Sequence, residues 1–97
     1  MLSMACKAGK VKSGEFAVEK AVKENKAFLV IVASDASSAT KEAYLAMCKN
    51  RNIPIVEYSS KTGLGKSIGK EFRAAVAVCD KGFSENIAER MNSYPRI

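Results

Sequence analysis

The residues with the clearest capacity for chemistry lie between Gly9 and Ala21, where a lysine-rich turn runs into the start of a predicted helix. The first turn of a helix presents backbone N–H groups without intrahelical acceptors, and the helix dipole is positive there, so this position attracts anions such as phosphate. Ser13 is predicted to cap the helix through its hydroxyl, and Gly14, which lacks a Cβ, to let another backbone approach closely. The alternative interpretation is an ordinary capped helix with a solvated, lysine-rich end.

The net charge of +6 is distributed unevenly along the chain. Residues 7–26 hold six lysines against three glutamates, and residues 61–73 hold four basic residues against one glutamate, while the remaining charges cancel. If the fold brings the two segments together, they form one positive patch of the kind that polyanions bind. Two separate solvated faces are the alternative.

Composition limits the classes of function that the chain can have. Its 97 residues, 47% of them hydrophobic, predict a single domain spanning 1–97. No apolar run approaches the roughly 20 residues of a membrane span, so we expect no membrane partner.

Cys6, Cys48 and Cys79 are odd in number and far apart, which favours reduced thiols in a cytoplasmic protein. With no histidine and no metal-ligand spacing, we expect neither a metal nor a cofactor.

Helical and strand patterns alternate along the chain. Helices are predicted at 2–8, 14–25, 39–51 and 61–68, strands at 10–12, 28–33, 55–58 and 74–79, and a last helix is marked by Phe83, Ile87 and Met91. In the helix at 39–51, one side is expected to be lined by Ala39, Ala43, Ala46 and Met47. The continuous apolar runs at 28–33 and 74–79 are typical of strands buried on both faces, which require helices on both sides. We therefore predict an α/β fold, a three-layer α/β/α sandwich on a small mixed four-stranded sheet.

A nucleotide-binding P-loop is suggested by residues 60–67, Ser-Lys-Thr-Gly-Leu-Gly-Lys-Ser, which follow a predicted strand. The P-loop pattern requires glycine where this chain has Ser60, and the following helix must end by Gly69. Ninety-seven residues also supply fewer strands than a P-loop domain needs. This interpretation is therefore rejected.

The remaining polar residues do not form a catalytic constellation. Asp35 and Glu57 are lone carboxylates at strand ends, where capping or solvation is the usual role. Glu71 is expected to form a local ion pair with Lys70 or Arg73. No base accompanies these groups, so the sequence predicts that the protein is not an enzyme.

Phe16 is unusual because it lies in the first turn of the basic helix. It could pack over the helix N-terminus or cover the sheet edge. It could instead provide a platform on which an unpaired base stacks, an interaction worth about 1–3 kcal/mol where it occurs.

Several short motifs follow one another in a distinctive order along nearly the whole chain. They are Ala8-Gly9-Lys10, Ser13-Gly14, Lys20-Ala21, Ala33-Ser34-Asp35-Ala36, Ile53-Pro54-Ile55, Leu64-Gly65-Lys66, Ile68-Gly69-Lys70-Glu71 and Val76-Ala77-Val78. In this order and spacing the chain resembles the kink-turn-binding ribosomal proteins of the L7Ae/L30e type, and in particular their bacterial YlxQ-like branch. The resemblance implies an α/β/α fold that binds RNA without enzymatic activity.

The resemblance also implies where RNA would bind. The family holds RNA through the start of the second helix, the turn after the first long strand and the loop before the last strand. In this chain the matching residues are Gly14, Glu15, Phe16, Ala17 and Lys20; Asp35, Ala36 and Ser37; and Lys70, Glu71, Phe72, Arg73 and Ala74. Lys61 lies near the third group, and Lys12 is expected to add a further phosphate contact.

This chain departs from the family at one important position. Tight kink-turn binders carry an Asn-Glu pair, which reads sheared G·A base pairs, where this chain has Phe16 and Ala17. We therefore expect a non-catalytic binder of structured RNA with weakened or altered kink-turn specificity, and an association with the ribosome. The alternative is a protein–protein adaptor whose basic patch docks an acidic partner.

Overall fold

The computed structural model describes residues 2–90, which form four strands and five helices. The strands are β1 (Val11–Ser13), β2 (Leu29–Val32), β3 (Ile55–Glu57) and β4 (Ala75–Val78). The helices are α1 (Leu2–Lys7), α2 (Glu15–Lys23), α3 (Ser38–Asn50), α4 (Lys61–Ser67) and α5 (Lys81–Arg90). Each lies within a few residues of its predicted position. Of the residues predicted to mark the last helix, Ile87 is buried and Phe83 half-buried, while Met91 lies outside the described residues.

The four strands form one mixed sheet in the order β1-β4-β2-β3. β4 runs antiparallel to both β1 and β2, and β2 runs parallel to β3. Val30 is opposite Ala77 on one side and Ile55 on the other. Every residue of the two central strands, β2 and β4, is buried, as their continuous apolar sequences predict.

Helices cover both faces of the sheet, so the predicted three-layer sandwich is confirmed. Because side chains alternate along a strand, Leu29 and Ile31 point to one face and Val30 and Val32 to the other. The first face packs against Leu2 and Ala5 of α1, Leu64 of α4 and Ile87 of α5. The second packs against Val18, Ala21 and Val22 of α2 and Tyr44 and Cys48 of α3.

The predicted orientation of α3 is wrong. Ala39, Ala43 and Ala46 are exposed, Met47 is half-buried, and the buried residues of this helix are Tyr44 and Cys48. The larger side chains remove more apolar surface from water than the alanines do, so their burial determines how the helix is rotated.

None of the helices that residues 2–90 form combines the length and apolar character needed to cross a membrane.

Candidate RNA interface

The three segments predicted to form a site converge at one end of the sheet. β1 and β2 end there and β4 begins there, because Ser13 is opposite Val76 and Val32 is opposite Ala75. We call this region, residues 13–17, 33–37, 57–61 and 69–75, the site end. The opposite end of the sheet, where β1 and β2 begin and β4 ends, is called the far end.

The first segment of the site end is the N-terminus of α2. Gly14 is the N-cap residue, with φ 90° and ψ 152°, and no side chain of residues 2–90 caps the first turn. The backbone N–H groups of residues 15–17 are therefore those that a helix of this length leaves without intrahelical acceptors. The dipole of α2 adds a positive potential at the same position.

Ser13 is not the predicted N-cap. It is the last residue of β1, and its hydroxyl accepts a hydrogen bond from Arg73 Nε at 3.4 Å. Glycine is required at position 14 because the φ of Gly14 lies in the left-handed region. A close neighbour is not the reason, since no described atom lies within 4 Å of the place a Cβ would occupy. The space beside Gly14 therefore faces solvent.

The second segment is the turn after β2, which the side chains of Asp35 and Ser37 hold in place. Asp35 Oδ1 accepts a hydrogen bond from the Lys61 backbone N–H at 2.8 Å. Ser37 is the N-cap of α3, and its Oγ accepts from the Thr40 N–H at 3.1 Å. Ala36 is buried in the core beneath the turn. Both exposed side chains are thus engaged within the protein, which makes the turn rigid.

An ion pair that the sequence did not reveal supports the same turn. Lys41 Nζ donates to the Ser34 carbonyl at 2.7 Å and to Glu57 Oε1 at 2.9 Å, with about a quarter of each side chain exposed. Glu57 is thus paired, and the expectation of a capping or merely solvated carboxylate is wrong. The only feature of the sequence that points to these contacts of Lys41 is its position one helical turn after the Ser37 cap.

The third segment, the loop from Gly69 to Ala74, is fastened to both neighbouring segments. The Arg73 N–H donates to the Lys61 carbonyl at 2.9 Å, and the Ala33 N–H donates to the Ala74 carbonyl at 2.8 Å. Lys70 and Glu71 are exposed, and no ion pair of Glu71 occurs among residues 2–90, contrary to prediction. Together with the Arg73–Ser13 contact, these bonds join the three predicted segments into one surface.

Gly65 in α4 fixes the distance between this loop and the rest of the fold. A Cβ on Gly65 would come within 2.5 Å of Phe72 Cα and 2.7 Å of the Phe72 nitrogen. The helix and the loop backbone are therefore in direct contact. This is the physical reason for glycine in the Leu64-Gly65-Lys66 motif.

The P-loop interpretation also fails in three dimensions. Lys66 and Ser67 lie in the last turn of α4, whereas a P-loop places its lysine and serine at the start of a helix around phosphate. The Ser60 hydroxyl instead caps α4 by accepting from the Gly63 N–H at 3.0 Å.

Two aromatic rings are exposed at the site end. Phe16 is 80% exposed and Phe72 is 59% exposed. Phe16 therefore does not pack over the helix N-terminus or the sheet edge, and the packing interpretation is wrong. Both rings are available to a ligand that can stack.

Tyr44 of α3 is buried against α2 on one face of the sheet. Burial raises the pKa of its hydroxyl to about 12, and the charges of Glu15 and Glu19 contribute to the same shift. The hydroxyl has no hydrogen-bond partner among residues 2–90. Tyr44 is thus held neutral beneath the start of α2.

The fold divides the basic residues, so the single positive patch is only partly realised. Lys61, Lys70 and Arg73 lie within the site end, and Lys20 lies on α2 one helical turn beyond Phe16. Lys12 lies one residue outside the site end, opposite Ala77 in β4. The charges of Lys12 and Lys26 act on the thiol of Cys79, which follows β4 at the far end. Part of the charge in residues 7–26 therefore lies away from the site end.

Comparison with known proteins identifies the group to which this α/β/α sandwich belongs. Residues 1–88 match the Ribosomal protein L7Ae/L30e/S12e/Gadd45 family. The chain is 40% identical over 87 residues to the RNA-binding protein YlxQ of Bacillus subtilis (strain 168), across 90% of this chain and 87% of that protein. It is 32% identical to the large ribosomal subunit protein eL8 of Picrophilus torridus, across 89% of this chain and 68% of that protein.

Solved structures have the same fold. A protein of unknown function from Bacillus halodurans C superposes with a TM-score of 0.91 at 36% identity, covering 94% of this chain and 92% of that one. The Giardia lamblia 15.5kD RNA binding protein superposes with a TM-score of 0.77 at 22% identity, covering 95% and 78% of the two chains. The chain belongs to the Ribosomal protein L7Ae/L30e/S12e/Gadd45 family, which confirms the resemblance seen in its sequence.

Proposed function

We propose that this chain is a single, non-catalytic RNA-binding domain that holds structured RNA at its site end. The observation that carries the proposal is the uncapped N-terminus of α2, exposed beside two rigid backbone segments. An RNA phosphate suits this position, because its charge complements the helix dipole and its oxygens accept from the free amides. The naming of a relative, YlxQ of Bacillus subtilis, as an RNA-binding protein supports the same conclusion.

The basic side chains position the RNA without reading its sequence. Lys20 is exposed one turn beyond Phe16, where its ammonium can reach the sugar–phosphate backbone. Lys61, Lys70 and Arg73 provide cations on the other side of the α2 N-terminus. Contacts of this kind fix register and orientation and make affinity strongly dependent on salt.

The identity of residues 16 and 17 indicates that kink-turn specificity is altered. A phenyl ring and a methyl group cannot form the hydrogen bonds with which a polar pair reads sheared G·A base pairs. The exposed rings of Phe16 and Phe72 offer instead two stacking surfaces for unpaired bases, each worth about 1–3 kcal/mol. Stacking tolerates many base identities, so the RNA is selected by shape rather than by the G·A pairs.

The proposed partners are structured cytoplasmic RNAs, ribosomal RNA among them. Relatives named as large ribosomal subunit proteins support the ribosomal part of this proposal. Catalysis and metal binding are not part of it, and residues 2–90 contain no group of three or more potential metal ligands.

A binding titration tests the proposal. The protein is titrated with a kink-turn RNA and with a copy in which the G·A pairs are replaced, each at two salt concentrations. We expect similar, salt-sensitive binding to both RNAs. Tight binding that the altered copy loses would overturn the altered-specificity part, whereas no binding to either RNA at low salt would overturn the RNA-binding function and favour a protein adaptor.

A further inference from the structure

Three lysines are grouped around the far end of β1, outside the site end. The Lys10 carbonyl accepts from the Cys79 N–H at 2.6 Å, which places Lys10 beside the end of β4. Burial raises the pKa of the Cys79 thiol, and the charges of Lys12 and Lys26 oppose this shift. Lys10, Lys12 and Lys26 are all exposed. Two ammonium groups therefore lie within electrostatic reach of one sulfur, and a third lysine adjoins them.

Acidic groups neutralise little of this charge. Among residues 2–90, the ion pairs within 4 Å are Lys23–Glu19, Lys26–Glu24 and Lys41–Glu57, so Lys10 and Lys12 have no carboxylate partner there. The Lys26–Glu24 pair is exposed at 3.2 Å and is weakened by solvent. Nearby Asp80 is engaged in capping α5, since its Oδ1 accepts from the Phe83 N–H at 2.8 Å.

These lysines form one surface with the site end. Among the strands of residues 2–90, β1 lies at the edge of the sheet and pairs on one side only. Val11 packs against the layer that contains α1 and α5, so strand alternation directs Lys12 to the α2 side. On α2, Glu15 and Glu19 lie close to Tyr44 of α3, and Lys20 lies about 100° further round the helix, away from α3. Lys12 adjoins Ser13 of the site end, so the cations continue from the site end through Lys12 toward Lys10 and Lys26, with Lys20 on the neighbouring helix.

We propose that Lys10, Lys12 and Lys26, here called the β1 strip, bind the sugar–phosphate backbone of an RNA duplex stem that leaves the site end. This inference rests on the proposed function and extends it to a second contact. From Ser13 to Lys10 the strand spans about 10 Å, a length comparable with a few base-pair steps of a duplex. A stem seated at the site end therefore has phosphates alongside the strip.

The chemistry of the strip favours a duplex over an acidic protein. Protein interfaces depend on buried aromatic or arginine anchors that fill pockets. The three residues of the strip are exposed lysines in a row, which supply point charges and no such anchor. A regular array of phosphates is the partner that this arrangement matches.

The test uses two kink-turn RNAs that share the same bulge. One has both stems extended by a full helical turn, and the other has stems trimmed to the shortest length that keeps the bulge folded. The variant is Lys10→Ala/Lys12→Ala/Lys26→Ala. The control, Lys49→Ala/Lys66→Ala/Lys81→Ala, removes the same charge from exposed positions on α3, α4 and α5.

For the long-stem RNA, the strip variant should reduce the slope of log affinity against log salt by about 2–3, since each lysine–phosphate contact contributes about 1. For the trimmed RNA its slope should fall by no more than about 1, because of the three lysines only Lys12 adjoins the site end. An equal effect of the strip variant on both RNAs, or an effect matched by the control, would overturn the inference. If the wild type binds neither RNA, the proposed function fails first, so the two failures are distinguishable.

Discussion

Replacing Gly65 by alanine tests how the core of the protein positions the proposed RNA-binding loop. The new Cβ would lie 2.5 Å from Phe72 Cα and 2.7 Å from the Phe72 nitrogen. Both are backbone atoms, so the loop has to retreat by about 1 Å to reach an ordinary contact distance. Overpacking of this kind costs about 1–3 kcal/mol, and because no side chain can rotate away we expect the upper value.

Part of this cost is offset within the helix. Alanine is favoured over glycine inside a helix by about 1 kcal/mol, so the free energy of unfolding should fall by about 2 kcal/mol. For a domain of this size that corresponds to a decrease in Tm of about 10 °C. Displacement of Phe72 and Arg73 should also weaken RNA binding by about tenfold, which is a loss of roughly 1.4 kcal/mol.

Gly63→Ala is the matched control, because it lies in the same helix. Its Cβ would meet the hydroxyl end of the Ser59 side chain, which can rotate away, and not the loop. We expect its Tm to stay within a few degrees of wild type and its RNA affinity to be unchanged. The assays are thermal unfolding followed by circular dichroism and titration with a kink-turn RNA. If Gly65→Ala behaves like Gly63→Ala in both, the reasoning about helix–loop contact is refuted.

Three other substitutions separate the roles of single side chains. Because burial favours the neutral form of Tyr44 in the folded state, this group leaves stability independent of pH below about 10 and lowers it as pH rises from about 10 to about 12. Tyr44→Phe removes a buried hydroxyl that has no partner among residues 2–90, so it should raise the free energy of unfolding by about 1 kcal/mol at neutral pH. It also removes the titrating group, so in urea unfolding at high pH the variant should lose about 3 kcal/mol less than the wild type loses. An unchanged pH profile would contradict this. Phe16→Ala should weaken RNA binding by about 1–3 kcal/mol without changing Tm, since the ring is 80% exposed, and unaltered affinity would exclude stacking. Lys20→Ala should weaken all RNAs alike and reduce the salt slope by about 1, whereas a loss confined to one RNA would indicate that Lys20 reads bases.

The elements of the fold were largely predictable from the sequence because their signals are local. The apolar runs of β2 and β4 have no polar face, so they had to be central strands with helices on both sides. The lack of histidine and the substitution of Ser60 in the P-loop pattern likewise required no structure to interpret. Alternating helices and strands then left few arrangements of the sheet.

Features that depend on how a helix is rotated about its axis, or on contacts between residues distant in the chain, were not predictable from the sequence. The alanines of α3 looked like a buried face, but whether Tyr44 or Ala43 turns inward depends on the surface of α2 and the sheet. Ser13 has the right type for a cap, yet its pairing with Val76 keeps it in β1. The Lys41–Glu57 pair joins residues 16 positions apart, and no local pattern marks it.

The charge distribution is the clearest example of a feature that the sequence alone does not place in the fold. Residues 7–26 form one basic segment in the chain, but β1 and α2 run in opposite directions and spread its lysines from the site end to the far end. The net positive charge of this segment could therefore be predicted from the sequence, but the positions of all its lysines in the fold could not. The position of Lys10 and Lys26 at the far end is visible only in the fold.

The most direct test of the central claim is an NMR titration of the isotope-labelled protein with a kink-turn RNA at low and moderate salt. We expect the largest amide shifts at residues 14–17, 35–37 and 70–74, with the changes decreasing as salt rises. Shifts confined to the helical faces of α3 and α5, or an unperturbed Gly14–Ala17 segment in the presence of bound RNA, would contradict it.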